Sequence, residues 1–303
     1  MFRGFSGCGT ALVTPFRKDL SLDEEAMRRL VRRQIEAGIN FLVPCGTTGE
    51  SPTLTHEEHL RVVAITIEEA KGKAPVLAGA GGYDTRHVIE MARECERLGA
   101  DGILSVTPYY NKPTQEGLFH HFKAIAAATS LPIILYNVPP RTNVNIDPAT
   151  VRRLSEIENI IGVKEASGSI SQITQVFQQV PENFLVFSGD DAITLPLVAM
   201  GGKGIISVAS NVIPGEMTSF AQLCLAGNFA EARAWLCKWM PLLEVNFVET
   251  NPTPVKAAMA EMGLLEPVFR LPLVPPRVES AAKIRTVLES LALLERAHVA
   301  NRI

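Results

Sequence analysis

Cysteine is scarce and scattered in the 303-residue sequence, which limits the kinds of site that the protein can carry. Disulfide frameworks and structural zinc sites need paired or regularly spaced thiols. The cysteines are odd in number and no two of them have the Cys-x-x-Cys spacing, so we expect a reducing compartment and neither feature. The five are Cys8, Cys45, Cys95, Cys224 and Cys237.

Excess charge and long apolar runs are also missing. The net charge of −3 and the pI near 6.1 give no basic surface for nucleic acid or anionic membranes. No uninterrupted apolar run reaches the roughly 18 residues of a transmembrane helix, and the first residues lack the apolar stretch of a signal peptide. We therefore expect a soluble, cytoplasmic protein with small-molecule partners and neither nucleic-acid nor membrane partners.

Eight short apolar segments recur along the chain, each followed by a helical pattern. They begin about 20 to 35 residues apart, which is the spacing of β-strands joined by crossover helices. Eight such units fit a closed (β/α)8 barrel better than an open doubly wound sheet. The sequence therefore predicts an α/β protein with the TIM-barrel fold. The predicted strands are residues 9–14, 41–44, 76–80, 103–106, 133–136, 160–163, 184–187 and 204–208.

Only helical patterns remain after residue 227. They cover residues 229–248, 254–262 and 276–294. This part contains no cluster of chemically reactive residues beyond the segment 251–254, so we do not expect a second catalytic domain. We predict a barrel with the active site at residues 1–227 and C-terminal helices, residues 228–303, packed on its flank.

Lys164 is the residue that most informs a functional hypothesis. The apolar residues 160–163 have the pattern of a buried strand that delivers Lys164 and Glu165 at its polar end. An amine at that place is a solvated end charge, a phosphate ligand, or a desolvated nucleophile for a carbonyl carbon. The lysine alone leaves all three open.

Hydroxyl side chains accumulate at the same strand ends. Catalytic residues of a (β/α)8 barrel come from the loops that follow its strands. Tyrosine and threonine hydroxyls near an amine can relay the protons that imine chemistry requires, although any single tyrosine there could instead serve packing. The residues that these strand ends supply are Thr47, Thr48, Tyr109, Tyr110, Tyr136, Lys164 and Gly189.

Three other motifs favour simpler interpretations. The segment His56-Glu57-Glu58-His59 separates its histidines by three residues, not the four of a zinc protease helix, and Thr55 explains the acids as a helix cap. Gly79-Ala80-Gly81-Gly82 lacks dinucleotide-binding spacing and predicts a tight turn. Asp190-Asp191 has no partnering histidines and is expected to cap the next helix. We therefore predict no metal site.

Three segments resemble the signatures of the dihydrodipicolinate synthase and N-acetylneuraminate lyase family of class I aldolases. They are Gly46-Thr47-Thr48-Gly49-Glu50-Ser51, Tyr136-Asn137-Val138-Pro139 and Gly162-Val163-Lys164-Glu165-Ala166. The resemblance extends from about residue 7 to residue 256. Residues 107–113 and Arg141-Thr142 resemble the synthase branch and not the sialic acid lyases.

The resemblance implies a Schiff-base condensation of pyruvate with L-aspartate 4-semialdehyde, in diaminopimelate and lysine biosynthesis, without a cofactor. Lys164 would form the imine, Tyr136 would transfer protons, and Arg141 would receive the carboxylate of the semialdehyde. Thr47 would link Tyr136 to Tyr110 of a neighbouring subunit, in a homotetramer built from dimers. Pyruvate would be held by Thr47, Thr48 and the main chain at Ile206, and Gly189 is a further expected substrate-binding residue.

The resemblance also implies a candidate effector pocket at a dimer interface. Its residues are Ser51, Pro52, His56, His59, Tyr83, His87 and Tyr109. In lysine-inhibited members, the position of Tyr83 is usually asparagine and that of His87 is glutamate, which pairs with the ammonium of the effector. An imidazole removes that opposite charge, so we expect L-lysine to inhibit weakly or not at all.

The sequence is compatible with three alternative functions. One is another pyruvate-dependent aldolase that cleaves a sugar acid, of the N-acetylneuraminate lyase or 2-keto-3-deoxygluconate aldolase type, against which Arg141 and Tyr110 argue. A second is a metal-dependent barrel hydrolase, which needs histidines at the strand ends, where none of the six lies. The third is a non-catalytic ligand-binding barrel, which the sequence leaves open.

Overall fold

Eight parallel strands form a single sheet in the computed structural model, which describes residues 4–294. The strands are β1 (Gly7–Ala11), β2 (Phe41–Val43), β3 (Leu77–Gly79), β4 (Gly102–Val106), β5 (Ile133–Asn137), β6 (Ile160–Glu165), β7 (Leu185–Ser188) and β8 (Gly204–Ser207). Their order is β2-β1-β8-β7-β6-β5-β4-β3. A parallel bridge between Leu42 and Val76 joins β2 to β3, so the sheet closes. The predicted TIM barrel is confirmed.

The helices alternate with the strands and then continue alone. Those of the repeating units are α1 (Glu24–Glu36), α2 (His56–Ala70), α3 (Thr85–Leu98), α4 (Gln115–Ala126), α5 (Pro139–Thr142), α6 (Pro148–Ser155), α7 (Ile170–Gln179), α8 (Thr194–Ala199) and α9 (Pro214–Leu225). Three more follow, α10 (Phe229–Val245), α11 (Thr253–Glu261) and α12 (Val278–Ser290). Short 3-10 helices occupy Thr47–Gly49, Ser51–Thr53 and Ala209–Asn211. The predicted cap at Thr55 is present at the start of α2. The Thr55 hydroxyl accepts from the backbone N–H of Glu58, and the Glu58 carboxylate accepts from the backbone N–H of Thr55, which is a capping box.

Alternation along each strand divides the buried side chains into two cores. In β5, Ile133 and Leu135 face the surrounding helices, whereas Ile134 and Tyr136 face the barrel interior. This is the two-residue period of a β-strand. The interior core consists of Phe5, Ala11, Phe41, Val43, Leu77, Leu104, Ile134, Tyr136, Val138, Phe187 and Ile206. Tyr136 therefore belongs to the interior of the barrel.

The first strand is the one whose predicted position is shifted. It was expected at residues 9–14, but the ladder runs over Gly7–Ala11. It begins earlier because the backbone N–H of Gly7 donates to the carbonyl of Lys203 and Gly7 pairs with Gly204 of β8. Residues 12–14 are buried beyond the end of the strand, although the backbone N–H of Leu12 still donates to the Val43 carbonyl of β2.

The C-terminal helices pack against the barrel helices and against one another. The indole ring of Trp235 in α10 stacks on Phe220 of α9, with ring centroids 4.3 Å apart, and Trp239 is buried. The division of the chain into a barrel and C-terminal helices at residue 227 stays a prediction. The first three residues of the predicted barrel and residues 295–303 of the predicted C-terminal part lie outside the described residues. Within residues 4–294, no helix combines the length and the apolar character needed to cross a membrane.

Candidate active site

Lys164 and Tyr136 meet at the carboxyl ends of β6 and β5. Their Cα atoms are partners in the parallel ladder, and the Lys164 Nζ lies 4.2 Å from the centroid of the Tyr136 ring. Lys164 is 5% exposed and Tyr136 is 7% exposed. This burial excludes the solvated end charge among the three interpretations of Lys164. A desolvated amine beside a phenol is a pair that can carry out nucleophilic and proton-transfer chemistry.

Gly189, directly after β7, leaves the space that the Lys164 side chain occupies. A Cβ atom added at residue 189 would lie 3.0 Å from the Lys164 Cε and 2.7 Å from the Ala166 Cβ. Ordinary side-chain contacts are longer than this, so a larger residue would displace the lysine. The structure gives Gly189 a steric role beside Lys164, and its role in substrate binding stays a prediction.

Thr48 and Arg141 are joined by a residue from the C-terminal part of the chain. Asn251 donates from Nδ2 to the Thr48 Oγ1 at 3.0 Å, and its carbonyl accepts a bond from the Arg141 Nη2 at 3.3 Å. Asn251 is buried, whereas the Arg141 side chain is exposed at the end of α5. Sequence reasoning noted the segment 251–254 but did not assign Asn251 to the site.

A cavity of about 670 Å³ opens at this end of the barrel. Thr47, Tyr136 and Arg141 line one part of it, so the structure brings these three predicted residues together. Ile206 lies in β8 with its side chain in the same interior core as Tyr136. The cavity has the size of a small-molecule site.

Tyr110 is the predicted catalytic residue that a single chain does not bring to the site. Its side chain is 91% exposed, and its backbone has a left-handed φ of 71°. Among residues 4–294, no hydrogen bond links Thr47 to Tyr110 or to Tyr136. The relay expected between these three residues is therefore not formed within one chain.

The predicted effector residues line the same cavity and are assembled by contacts among their rings. The His56 Nε2 lies 2.7 Å from the Glu94 Oε2, and the rings of His56 and His87 are 6.0 Å apart. Tyr83 and Tyr109 meet edge to face at 5.2 Å. Ser51, Pro52 and His59 line the cavity beside these four rings.

Burial sets the protonation of two groups in that pocket. The ring of His59 contacts the Gly79 carbonyl at 2.8 Å, and desolvation holds the pKa of His59 below its ordinary value. Partial burial, with Tyr83 nearby, raises the pKa of the Tyr109 phenol. Both groups are therefore neutral around pH 7.

A buried ion pair lies behind the segment that carries Thr47 and Thr48. The Lys256 Nζ contacts the Glu50 Oε1 at 2.5 Å, and both side chains are fully buried. The amine also lies over the rings of Phe16 and Phe269, at 4.5 and 5.1 Å. Burial lowers the pKa of Lys256, and Glu50 opposes this effect. Sequence reasoning missed the pair, whose members are 206 residues apart.

Asp191 does not cap a helix as predicted. Its Oδ2 accepts hydrogen bonds from the backbone N–H groups of Val208 and Ala209, so it braces the loop after β8. Burial raises the pKa of Asp191 to about 6. The following helix, α8, has no side-chain cap. Only Asp190 bonds locally, accepting from the N–H of Ala192.

The other competing motifs acquire structural explanations. Gly79-Ala80-Gly81-Gly82 forms no tight turn, which corrects that prediction. An added Cβ would lie 2.1 Å from the Cys45 carbonyl oxygen at residue 79 and 2.4 Å from the Val106 nitrogen at residue 81. These glycines permit close approach of neighbouring strands. Within residues 4–294, no three His, Cys, Asp or Glu side chains are grouped to hold a metal ion.

Comparison with known proteins places the chain in a family. The sequence model of the dihydrodipicolinate synthetase family matches residues 4–291. The chain belongs to this family. Its members are enzymes that act on small molecules, and the chain is a lyase of the synthase branch.

Similar proteins cover nearly the full chain. The 4-hydroxy-tetrahydrodipicolinate synthase of Koribacter versatilis (strain Ellin345) is 53% identical over 296 residues, covering 97% of this chain and 99% of that protein. The solved dihydrodipicolinate synthase of Thermotoga maritima is 45% identical, with a TM-score of 0.94, and covers 96% of this chain and 100% of that one. A solved monomeric dihydrodipicolinate synthase variant, also 45% identical with a TM-score of 0.94, covers 97% and 99%. These comparisons do not support the sugar-acid alternative.

Proposed function

We propose that the chain condenses pyruvate with L-aspartate 4-semialdehyde to give 4-hydroxy-tetrahydrodipicolinate, a step of diaminopimelate and lysine biosynthesis. One observation supports this above the others: the buried Lys164 amine lies 4.2 Å from the Tyr136 ring centroid at the carboxyl end of the barrel. Catalytic groups of (β/α)8 enzymes lie at this end. Relatives about half identical to the chain carry the name of this activity.

The first half-reaction would build an imine on Lys164. The neutral amine attacks the carbonyl carbon of pyruvate, and the carbonyl oxygen leaves as water after it has taken up protons. Tyr136 is the nearest candidate to deliver and recover these protons, because its ring contacts the amine. Loss of a methyl proton then turns the imine into an enamine, whose carbon is the nucleophile of the second half-reaction.

The second half-reaction would join the two substrates and release the lysine. The enamine carbon attacks the aldehyde carbon of the semialdehyde, and the aldehyde oxygen takes up a proton to become a hydroxyl. The amino group of the same substrate then attacks the imine carbon, which closes a six-membered ring and frees Lys164. The planar guanidinium of Arg141 can hold the semialdehyde carboxylate through two parallel hydrogen bonds. Thr47, Thr48 and the main chain at Ile206 would receive pyruvate, and Gly189 would also belong to the substrate-binding residues.

A second subunit would complete this site. Tyr110 is 91% exposed and directly follows Tyr109, which lines the cavity, so the Tyr110 ring can reach the site of a neighbouring chain. The proposed working unit is a homotetramer built from dimers, in the cytoplasm. In that unit, Thr47 and the Tyr110 of the neighbour would extend the proton path from Tyr136 to solvent.

Borohydride reduction in the presence of pyruvate tests the proposal. Intact-mass spectrometry of the wild type should show one reduced pyruvate adduct, which peptide mapping should place on Lys164. Lys256 is the matched internal control, because it is also a buried lysine but its amine is held in an ion pair with Glu50. Lys164→Ala should give no adduct, and an undiminished adduct in this variant would refute the assignment.

A comparison of aldehyde substrates tests the second half. The wild type with pyruvate should consume L-aspartate 4-semialdehyde far faster than it forms or cleaves a sugar acid. Arg141→Ala should weaken the use of the semialdehyde while the pyruvate adduct still forms. Loss of the adduct in that variant would contradict the separate roles of Lys164 and Arg141.

A further inference from the structure

The residues that follow Lys164 and Tyr136 on their strands share a buried polar contact on the outer side of the barrel. Glu165 and Asn137 are Cα partners in the ladder, and both are fully buried. The Glu165 Oε2 accepts hydrogen bonds from the Asn137 Nδ2 at 3.0 Å and the Gln172 Nε2 at 3.3 Å. Its Oε1 accepts a bond from the backbone N–H of Ser167 at 2.7 Å.

This contact is the centre of a larger network. The Asn137 Nδ2 also donates to the Asn145 Oδ1 at 2.9 Å, and the Asn137 Oδ1 accepts from the N–H of Ile146 at 3.0 Å. The side-chain amides of Asn145 and Gln172 exchange two hydrogen bonds of 2.8 and 3.0 Å. The network therefore ties together the ends of β5 and β6, the segment between α5 and α6, and the first turn of α7.

The network faces away from the substrate side. Side chains alternate across a strand, so Glu165 and Asn137 point outward where Lys164 and Tyr136 point inward. Glu165 takes part in none of the ion pairs found among residues 4–294. Glu165 can therefore affect the reaction only through Lys164, its neighbour on the strand.

We propose that Glu165 is a positioning residue that holds the end of β6 against β5 and so keeps the Lys164 amine over the Tyr136 ring. This inference rests on the proposed function. A carboxylate offers only acceptors, and three donors converge on it. A glutamine of the same shape would direct its NH₂ group at one or more of these donors, so the amide cannot replace the acid.

Glu165→Gln is the direct test. We expect the rate of imine formation with pyruvate, measured by timed borohydride trapping, to fall on the order of 10- to 100-fold, because small displacements of reacting groups have effects of this size. The kcat should fall in parallel. The KM for the semialdehyde should stay near the wild-type value, because Arg141 bonds to Asn251 and not to this network. The rates of the variant and the wild type are compared at a temperature at which circular dichroism shows that both are folded.

Asn159→Asp is the matched control, since it is also an amide–acid exchange. Asn159 lies just before β6 at the opposite end of the strand, where its Nδ2 donates to the carbonyls of Ala126, Thr129 and Leu131. The control should lower the Tm but leave the imine rate at the wild-type value. A Glu165→Gln variant with a lower Tm and a wild-type imine rate would overturn the proposal.

A milder variant covers the case in which Glu165→Gln does not fold. Gln172 is only half-buried, and Gln172→Leu removes one of the three donors to Glu165, together with the two hydrogen bonds that Gln172 exchanges with Asn145. It should slow imine formation several-fold, and an unchanged rate would equally refute the positioning role. A wild type that forms no pyruvate adduct would instead refute the proposed function, and the role of Glu165 would fall with it.

Discussion

Replacing Lys256 by methionine should destabilise the protein strongly, because it leaves the Glu50 carboxylate buried without its cation. Glu50 is 2% exposed and Lys256 is fully buried, so water cannot take the place of the amine. The second oxygen of Glu50, Oε2, has no hydrogen-bond partner among the described residues. Breaking a buried pair of this kind costs about 3 to 5 kcal/mol.

The double variant Glu50→Met/Lys256→Met should recover much of this loss. Burial outweighs the attraction of Glu50 in lowering the pKa of Lys256, which means that desolvation offsets a large part of the pair energy. Two apolar side chains of similar volume avoid that desolvation, and exchanges of this kind are often close to neutral. The cost of the single variant is therefore mainly that of an unpaired charge.

Urea unfolding followed by circular dichroism measures both variants and the single Glu50→Met. Lys256→Met should lower the free energy of unfolding by about 3 to 5 kcal/mol, and the double variant should lower it by clearly less than the sum of the two single variants. Additive losses, or a loss below about 1 kcal/mol for Lys256→Met, would show that the pair does not act as argued.

Three other predictions address assembly, pH and regulation. Mixing inactive Tyr110→Phe and Lys164→Ala chains should restore activity, because one hybrid site then has both groups intact. Acidification from pH 7 to pH 4 should cost the wild type about 3 kcal/mol through His121, because burial lowers its folded pKa to about 4, whereas the unfolded chain binds the proton near pH 6.5. L-lysine should inhibit initial rates weakly, because His87 offers the ammonium of the effector no carboxylate, and a lost charged hydrogen bond costs roughly 1.5 to 3 kcal/mol.

Each of these has its own control. Proven subunit exchange without rescue would place Tyr110 in the site of its own chain. His121→Gln should remove the part of the acid-induced loss that comes from His121. The loss must be measured as a difference from wild type, because Asp191, with its pKa raised to about 6, makes the fold more stable as the pH falls. Half-inhibition by L-lysine below about 1 mM would show that the pocket works without an acid at residue 87.

The parts of the structure that a local pattern encodes were predictable from the sequence. The repeat of apolar segments and helical patterns predicted the barrel, and the apolar run 160–163 predicted that Lys164 ends a strand. The first strand was shifted because Leu12 and Val13 are apolar and buried beyond the end of the strand. Apolar character reports burial, and it does not distinguish a strand residue from a buried loop residue.

The contacts that support the site could not be predicted in this way. Asp191 was expected to cap a helix, because cap patterns are local, yet its acceptors serve N–H groups 17 and 18 residues away. The partners Glu50 and Lys256 are separated by 206 residues. In the sequence, each has the pattern of an ordinary surface charge, and only the fold shows that both are buried. Only the outward-facing Glu165 next to Lys164 had a sequence signal, since a charge directly after a catalytic lysine must point away from the substrate.

These long-range contacts connect the C-terminal helices to the chemistry at the barrel. Asn251 bonds to Thr48 and Arg141, and Lys256 neutralises Glu50 directly behind the threonine segment. A change in the C-terminal segment therefore reaches both proposed substrate positions through bonds of about 3 Å, although none of its residues is assigned to the chemistry. The boundary at residue 227 separates two sequence patterns, but the forces that hold Thr48 and Arg141 in place cross it.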